Sequence, residues 1–290
     1  MASLYPAPLP RVLSIAGTDP SGGAGAAADL KSIAAAGGYG MSAVTALTAQ
    51  NTLGVRSIHV PPAAFLAEQL HAVSDDVRID AVKTGMLATA ELVEVLRDWL
   101  DAVRPPLLVV DPVMVATSGD SLLEIDAEQA MVALCARADV ITPNLPELAR
   151  ITGESPARDE QEAAAQAARW AAATGTAVVA TTGHLDAAEV PNLWVEPDGT
   201  VVRIPQARLE TTSTHGTGCS LASALATRLA AGQTPADALE WATRWLGEAI
   251  AHGAELQVGS GHGPVDHSHR SRRLEAAGEA ALELAAETAP

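Results

Sequence analysis

Residues 11–38 read RVLSIAGTDPSGGAGAAADLKSIAAAGG. The first seven form an apolar run of strand length. Residues 23–38 are rich in helix formers and end at paired glycines, which stop a helix. Strand, tight turn and helix in that order make the unit from which parallel sheets are built. The same alternation continues down the chain. SAVTALTAQ (42–50) is expected as a second strand, and VRSIHV (55–60) alternates before Pro61-Pro62. PAAFLAEQLHAVSDD is expected as a helix with Phe65, Leu66, Gln69 and Leu70 near one face. ATAELVEVLRDWLDAV points Leu92, Val95, Leu96 and Leu100 one way. IDAVKTGM, LLVVDPVM, ADVIT and TAVVATTGH supply further strands, with helices between them. LWVEPDGTVVRIP has a different rhythm: two short runs flank Pro197-Asp198-Gly199, which predicts a β-hairpin. Two helices follow HGTGC, the second opening at Thr234-Pro235.

This pattern predicts an α/β fold, a mainly parallel sheet covered on both faces, in one domain over residues 1–290. The Ala/Glu-rich residues 270–290 read as a helical tail. The formal net charge of −17 disfavours nucleic acid and anionic membranes as partners. Any phosphate site must therefore be local. Two cysteines make no disulfide framework, and no apolar run reaches membrane-spanning length. MASLYPAPLPR lacks the form of a signal peptide, so a soluble cytoplasmic protein is expected.

In parallel α/β sheets, ligands sit at the carboxyl ends of strands. AGTDPSGGAGAAADLK (16–31) contains Gly23-x-Gly25-x-x-Ala28, yet the second strand ends in Thr48-Ala49-Gln50-Asn51, with no acid for a ribose. No Gly-Lys-Ser/Thr closes a P-loop there either. A tight turn serving only the fold is the competing reading. The Gln50 amide can donate and accept together, which suits an amino group beside a ring nitrogen, although Gln50-Asn51 also suits a plain loop. Asp111 ends a buried strand, where an acid needs a partner such as a Mg²⁺–nucleotide, unless a loop hydrogen bond suffices. Asn144 and Glu147 face one small volume or simply start a helix. THGTGCS (214–220) opens a helix with glycines, the form of an anion cradle. The histidines of GHGPVDHSH do not follow a zinc spacing. Cys135 reads as a core residue.

Taken in order, AGTDPSGGAGAAADLK, TAQNTLGV, VKTGML, DPVMVATSGD, TPNLPE, HGTGC and GPVDH resemble the hydroxymethylpyrimidine/phosphomethylpyrimidine kinases of thiamine biosynthesis, in the ribokinase-like superfamily. The resemblance covers about residues 11–267. It implies a three-layer α/β/α fold, a homodimer, and two ATP- and Mg²⁺-dependent phosphorylations. These convert 4-amino-5-hydroxymethyl-2-methylpyrimidine to its monophosphate and then its diphosphate. It further implies that Gln50 recognises the aminopyrimidine and that Gly17, Asp29 and Met86 surround it. Asn144, Glu147 and Asp111 then fall on the nucleotide–Mg²⁺ side, with Asp111 and Glu147 toward the metal. Gly216, Thr217 and Gly218 form the anion hole, and Cys219 stands where many sugar kinases carry an aspartate base. A thiol at a helix N-terminus is expected to have a lowered pKa and to accept a proton near neutrality.

One departure stands out. Thr181 occupies the place of a lysine that meets the ATP phosphates in familiar members. Thr181 or Thr182 can offer a hydroxyl there, and a bound cation or Arg208 a charge. The rival readings are a pyridoxal kinase, a kinase of both substrates, and a non-catalytic pyrimidine- or vitamin-binding protein.

Overall fold

The computed structural model of the chain describes residues 8–114 and 127–287, with side chains through residue 278. The VATSGD part of the fourth motif lies outside the described residues. The described residues contain ten strands: β1 (Arg11–Ala16), β2 (Tyr39–Val44), β3 (Leu47–Asn51), β4 (Gly54–His59), β5 (Ala81–Thr84), β6 (Leu108–Val110), β7 (Val140–Ile141), β8 (Ala177–Thr181), β9 (Asn192–Val195) and β10 (Val201–Ile204). The helices are α1 (Gly25–Ala35), α2 (Ala63–Ser74), α3 (Ala90–Val103), α4 (Glu128–Cys135), α5 (Leu145–Thr152), α6 (Glu160–Thr174), α7 (Thr217–Ala230), α8 (Pro235–Ala251) and α9 (His269–Glu287).

Eight strands form one sheet in the order β10-β9-β8-β7-β6-β5-β1-β2. Pairing is parallel from β2 across to β8 and antiparallel for β8–β9 and β9–β10. The expected hairpin around Pro197-Asp198-Gly199 is thus β9–β10, at the edge of the main sheet. Side chains alternate along each strand, so each strand feeds two cores. Leu13 and Ile15 of β1 join a core with Leu66, Leu96 and Leu148 from α2, α3 and α5. Val12 joins the opposite core with Ile33, Leu225 and Trp245 from α1, α7 and α8. Three layers, α/β/α, result. Cys135 is fully buried in the first core.

Two expectations need correction. SAVTALTAQ is two strands in two sheets. The chain leaves the main sheet after Val44, and β3 pairs antiparallel with β4 in a separate ribbon. Thr18 takes over the freed backbone: its N–H donates to Ala46 O at 2.8 Å, and its hydroxyl accepts from Thr48 N at 3.1 Å. In α2, Leu66 and Leu70 are buried, but Phe65 is 52% exposed. The Gln69 amide instead binds both the N–H and the carbonyl of Val44, at 2.9 and 3.0 Å. In α3, Leu92, Leu96 and Leu100 are buried as expected, and Val93 and Trp99 widen that face.

Candidate active site

The site lies where the sheet order reverses, beside β1 and β5, and along the carboxyl ends of β6 and β7. Gly17 follows β1 and Met86 follows β5. A side chain at Gly17 would come within 3.0 Å of Met86 Sδ, so the two face each other directly. Gln50 reaches this region from β3, at a bulge between Ala49 and Gln50. Its Nε2 lies 3.5 Å from His215 Nε2.

His215 in turn bonds Asp19 Oδ2 at 2.7 Å. Asp19 also accepts from the N–H groups of Ser21 (2.9 Å), Gly23 (3.0 Å) and Ala24 (2.8 Å), and from the Ser21 hydroxyl (2.7 Å). Burial opposes its charge, but His215 and Ser21 outweigh burial and hold the carboxyl at about 2. Asp19 therefore ties the first glycine turn to the loop that opens α7, a role that neither segment reveals alone. Its folded pKa lies below the ordinary 3.8, so its contribution to stability is complete above 3.8 and is lost as pH falls through about 2. The wild type is expected to exceed Asp19→Asn by about 2 kcal/mol at neutral pH. Denaturant unfolding at several pH values should show that difference shrinking toward pH 2; a constant difference would refute the coupling.

The two glycine turns interlock. Gly216, at φ +81°, leads into α7, and a Cβ there would fall 1.9 Å from Gly23 O. Only glycine permits this approach. No side chain caps α7, and its first-turn N–H groups, those of Gly218 and Cys219 among them, have no acceptor within the helix. They provide a ready site for an anion. Gly218 stands next to Asp111, whose Oδ1 lies 3.9 Å from where a Gly218 Cβ would be.

Beneath this turn lies a fully buried cation, Lys83 on β5. Its ammonium donates to Asp29 Oδ1 at 2.8 Å and stands 3.4 Å from Asp111 Oδ2. Burial opposes its charge, but Asp29, Cys219 and Asp111 overcome it and raise its pKa. Asp29 further accepts from Ser14 (2.6 Å) and Ser223 (2.8 Å) and is 0% exposed. The sequence expectation for Asp29 thus needs correction: its oxygens are committed to Lys83 and two serines, and it presents no surface to a substrate. Lys83 itself was legible, as a lysine within the apolar strand AVKT, where a charge must find acids.

Asp111 is 3% exposed. Thr142 donates to its Oδ1 at 3.3 Å, while Oδ2 has no hydrogen-bond donor among the described residues, only the ion-pair contact with Lys83. Burial pushes its pKa up, and Lys83 pulls against that. Asn144 caps α5 and exchanges bonds with Glu147, each at 2.9 Å. Burial, reinforced by Asp111, pushes Glu147 up to about 8. The helix-cap reading of this pair is what the geometry shows, and it also sets Glu147 within reach of the Asp111 field. Thr181 bridges to Asn144 across β7–β8 and is half-buried, with its hydroxyl 3.5 Å from Pro143 O.

Three further expectations fail. Cys219 does not have a lowered pKa. Desolvation dominates and, despite Lys83, the carboxylates of Asp29 and Asp111 help push the thiol up to about 12. The residue is half-buried as a whole, and desolvation of its thiol is the largest influence. Thr182 is 0% exposed and donates to Pro191 O at 2.7 Å, so its hydroxyl is not available to a ligand. Arg208 donates to the carbonyls of Ala187 (2.9 Å), Gly183 (3.1 Å) and Leu185, so its guanidinium pins the loop after β8.

Among the described residues, no three His, Cys, Asp or Glu side chains gather around one point as an all-protein metal cage requires. Mg²⁺ carried on phosphates needs only one or two carboxylates, and Asp111 Oδ2, which takes no hydrogen bond among the described residues, with nearby Glu147 fits that need.

The sequence model of the family described as phosphomethylpyrimidine kinase matches residues 19–266. The chain is 54% identical over 270 residues to the thiamine biosynthesis multifunctional protein ThiED of Corynebacterium glutamicum, covering 93% of this chain but 35% of that protein. The chain thus spans about a third of the length of that relative. It is 44% identical over 258 residues to the hydroxymethylpyrimidine/phosphomethylpyrimidine kinase of Salmonella typhimurium, covering 89% of this chain and 97% of that one. Among solved structures, the ADP complex of Bacillus subtilis pyridoxal kinase superimposes with a TM-score of 0.82 at 30% identity, covering 90% of this chain and 98% of that one. Phosphomethylpyrimidine kinase from Clostridium difficile 630 gives a TM-score of 0.73 at 35% identity, covering 83% and 99%. The match over most of the chain, together with an anion-ready helix set against Asp111, shows that this chain belongs to the phosphomethylpyrimidine kinase family.

Proposed function

We propose that this chain transfers a phosphoryl group from ATP to 4-amino-5-hydroxymethyl-2-methylpyrimidine and then to the resulting monophosphate, giving the diphosphate. The observation that carries this reading is the N-terminus of α7, which no side chain caps, set beside Asp111, with Gly17 facing Met86 and Gln50 reaching toward His215. The names of the relatives support the two phosphorylations, and the ADP and AMP-PCP complexes of pyridoxal kinases support ATP as donor.

Gln50 holds the aminopyrimidine edge, and Gly17 and Met86 flank the ring. The N–H groups of Gly218 and Cys219 meet the developing phosphoryl charge. Asn144, Glu147 and Thr181 line the nucleotide side, and Asp111 with Glu147 would hold Mg²⁺, which when bound neutralises phosphate charge. At about 8, Glu147 must give up a proton to do so near neutrality. A thiol at about 12 is no standing base. Cys219 instead orients the hydroxymethyl group, and the rate comes from positioning and electrostatics. A neutral thiol also tolerates the phosphorylated substrate of the second step, whose nucleophile is already ionised.

Cys219→Asp would set a third carboxylate beside Asp29 and Asp111, and is expected to slow the second step more than the first. Phosphorus NMR with ATP–Mg²⁺ and either the pyrimidine or pyridoxal tests both points. A monophosphate signal followed by a diphosphate supports the proposal. Turnover of pyridoxal alone would replace it with the rival kinase, and equal losses in both steps would remove the charge account of Cys219.

We further propose one kinase domain, supported by the single eight-stranded sheet, and a homodimer. Tyr39, Leu47, Leu53, Ile58 and Phe65 leave 37–68% of their surfaces exposed on β2, the β3–β4 ribbon and α2, an apolar area that a second copy would cover. A single-chain mass in sedimentation would discard the dimer. No described helix is long and apolar enough to cross a membrane, and the chemistry proposed suits the cytoplasm.

A further inference from the structure

We propose that the Asp19–His215 pair is a positioning device that fixes which way the Gln50 amide points, and so decides which heterocycle the pocket accepts. The inference deepens the proposed function and rests on its placement of Gln50 against the substrate ring.

Asp19 receives five donors: three backbone N–H groups, the Ser21 hydroxyl and His215 Nε2. A carboxylate so surrounded acts only as an acceptor. The His215 nitrogen facing it at 2.7 Å must therefore carry the proton. That same nitrogen also faces Gln50, at 3.5 Å. With its proton held toward Asp19, it has no lone pair to offer. An amide –NH₂ turned toward it sets two donors against each other.

Half a turn about the last Gln50 torsion removes the conflict. Oε1 then faces the ring N–H as the weaker arm of a bond shared with Asp19, and the –NH₂ group turns toward the Gly17–Met86 side. In that orientation the amide polarity is set. Nε2 donates to a ring nitrogen of the ligand, and the second lone pair of Oε1 accepts from an exocyclic amino group beside it. A 4-aminopyrimidine presents that acceptor and donor. Its 4-oxo analogue presents the reverse, a ring N–H beside a carbonyl, and leaves two buried polar contacts unmade. A glutamine alone could turn over and serve either edge. Asp19 can fix the order because its own turn is immobilised by Gly23 and Ala24. His215 is 5% exposed and cannot swing away.

The test is equilibrium binding by calorimetry of 4-amino-5-hydroxymethyl-2-methylpyrimidine and its 4-oxo analogue, without nucleotide. It needs no turnover, so failure of phosphoryl transfer does not bear on it. The wild type is expected to prefer the amino compound by ~10²-fold or more. His215→Phe keeps a ring but removes the N–H, and the preference should fall by at least ~10-fold. His215→Gln restores a donor near the same place and should recover most of it. Melting temperatures of both variants verify that they fold. Equal weakening of both ligands in His215→Phe, with the preference intact, would mean that His215 only supports the fold, and would overturn the inference. So would a wild type that binds the two compounds alike, or binds neither.

Discussion

Replacing Lys83 by methionine is expected to lower folding stability by about 3–5 kcal/mol, the cost of leaving buried charges without their partner. Methionine is close to lysine in length, so the loss reports charge more than volume. Lys83 is 0% exposed and is the only cation in ion-pair contact with Asp29 and Asp111 among the described residues. Without it, Asp29 keeps two serine donors, but Asp111 Oδ2 keeps none. The two acids must then protonate or admit water, and either change disturbs the ground under Cys219 and the start of α7. Denaturant unfolding monitored by circular dichroism would measure this. Adding Asp29→Asn should recover part of the loss, because the two residues are directly coupled. A loss below about 1 kcal/mol would place Lys83 among surface-like ion pairs and remove the charge cluster as a support of the site.

Gly216→Ala is expected to reduce kcat/KM for phosphorylation by ~10²-fold or more while the sheet remains folded. Two penalties act at once. The backbone at φ +81° disfavours any side chain, and the new Cβ would fall 1.9 Å from Gly23 O. The two turns must separate by an ångström or more, which moves the N–H groups of α7 away from the transferring phosphoryl group. The contact lies between two turns outside the two core clusters, so the unfolding transition should remain cooperative. Steady-state kinetics with ATP and the aminopyrimidine, alongside a melting curve, separate the two effects. Activity within a factor of a few of the wild type would show that turn contact does not set the geometry of transfer.

Features that depend on neighbours along the chain were legible before folding is considered. Alternating apolar runs and helical periods fixed the α/β layering, because periodicity decides which face a strand or helix can bury. Pro197-Asp198-Gly199 marked the β9–β10 hairpin. Glycines before an apolar helix marked the anion-ready end of α7, and the order of motifs marked the family. The tertiary structure decided whatever depends on segments distant in the chain. Thr45 and Ala46 look like strand interior, yet they turn the chain out of the main sheet, because Ala46 O pairs with Thr18. Asp29 looks like a pocket residue on a helix near the glycine turn, but its partners are Ser14, Lys83 and Ser223, up to 194 positions away. Cys219 sits at a helix N-terminus, a place that lowers a thiol pKa, but desolvation, with Asp29 of α1 and Asp111 after β6, reverses the sign. Asp19 and His215, 196 positions apart, form one unit only when the loop after β1 meets the loop before α7. Hydrophobic period is a local quantity that a short stretch carries whole, whereas burial and charge are sums over neighbours that only folding assembles.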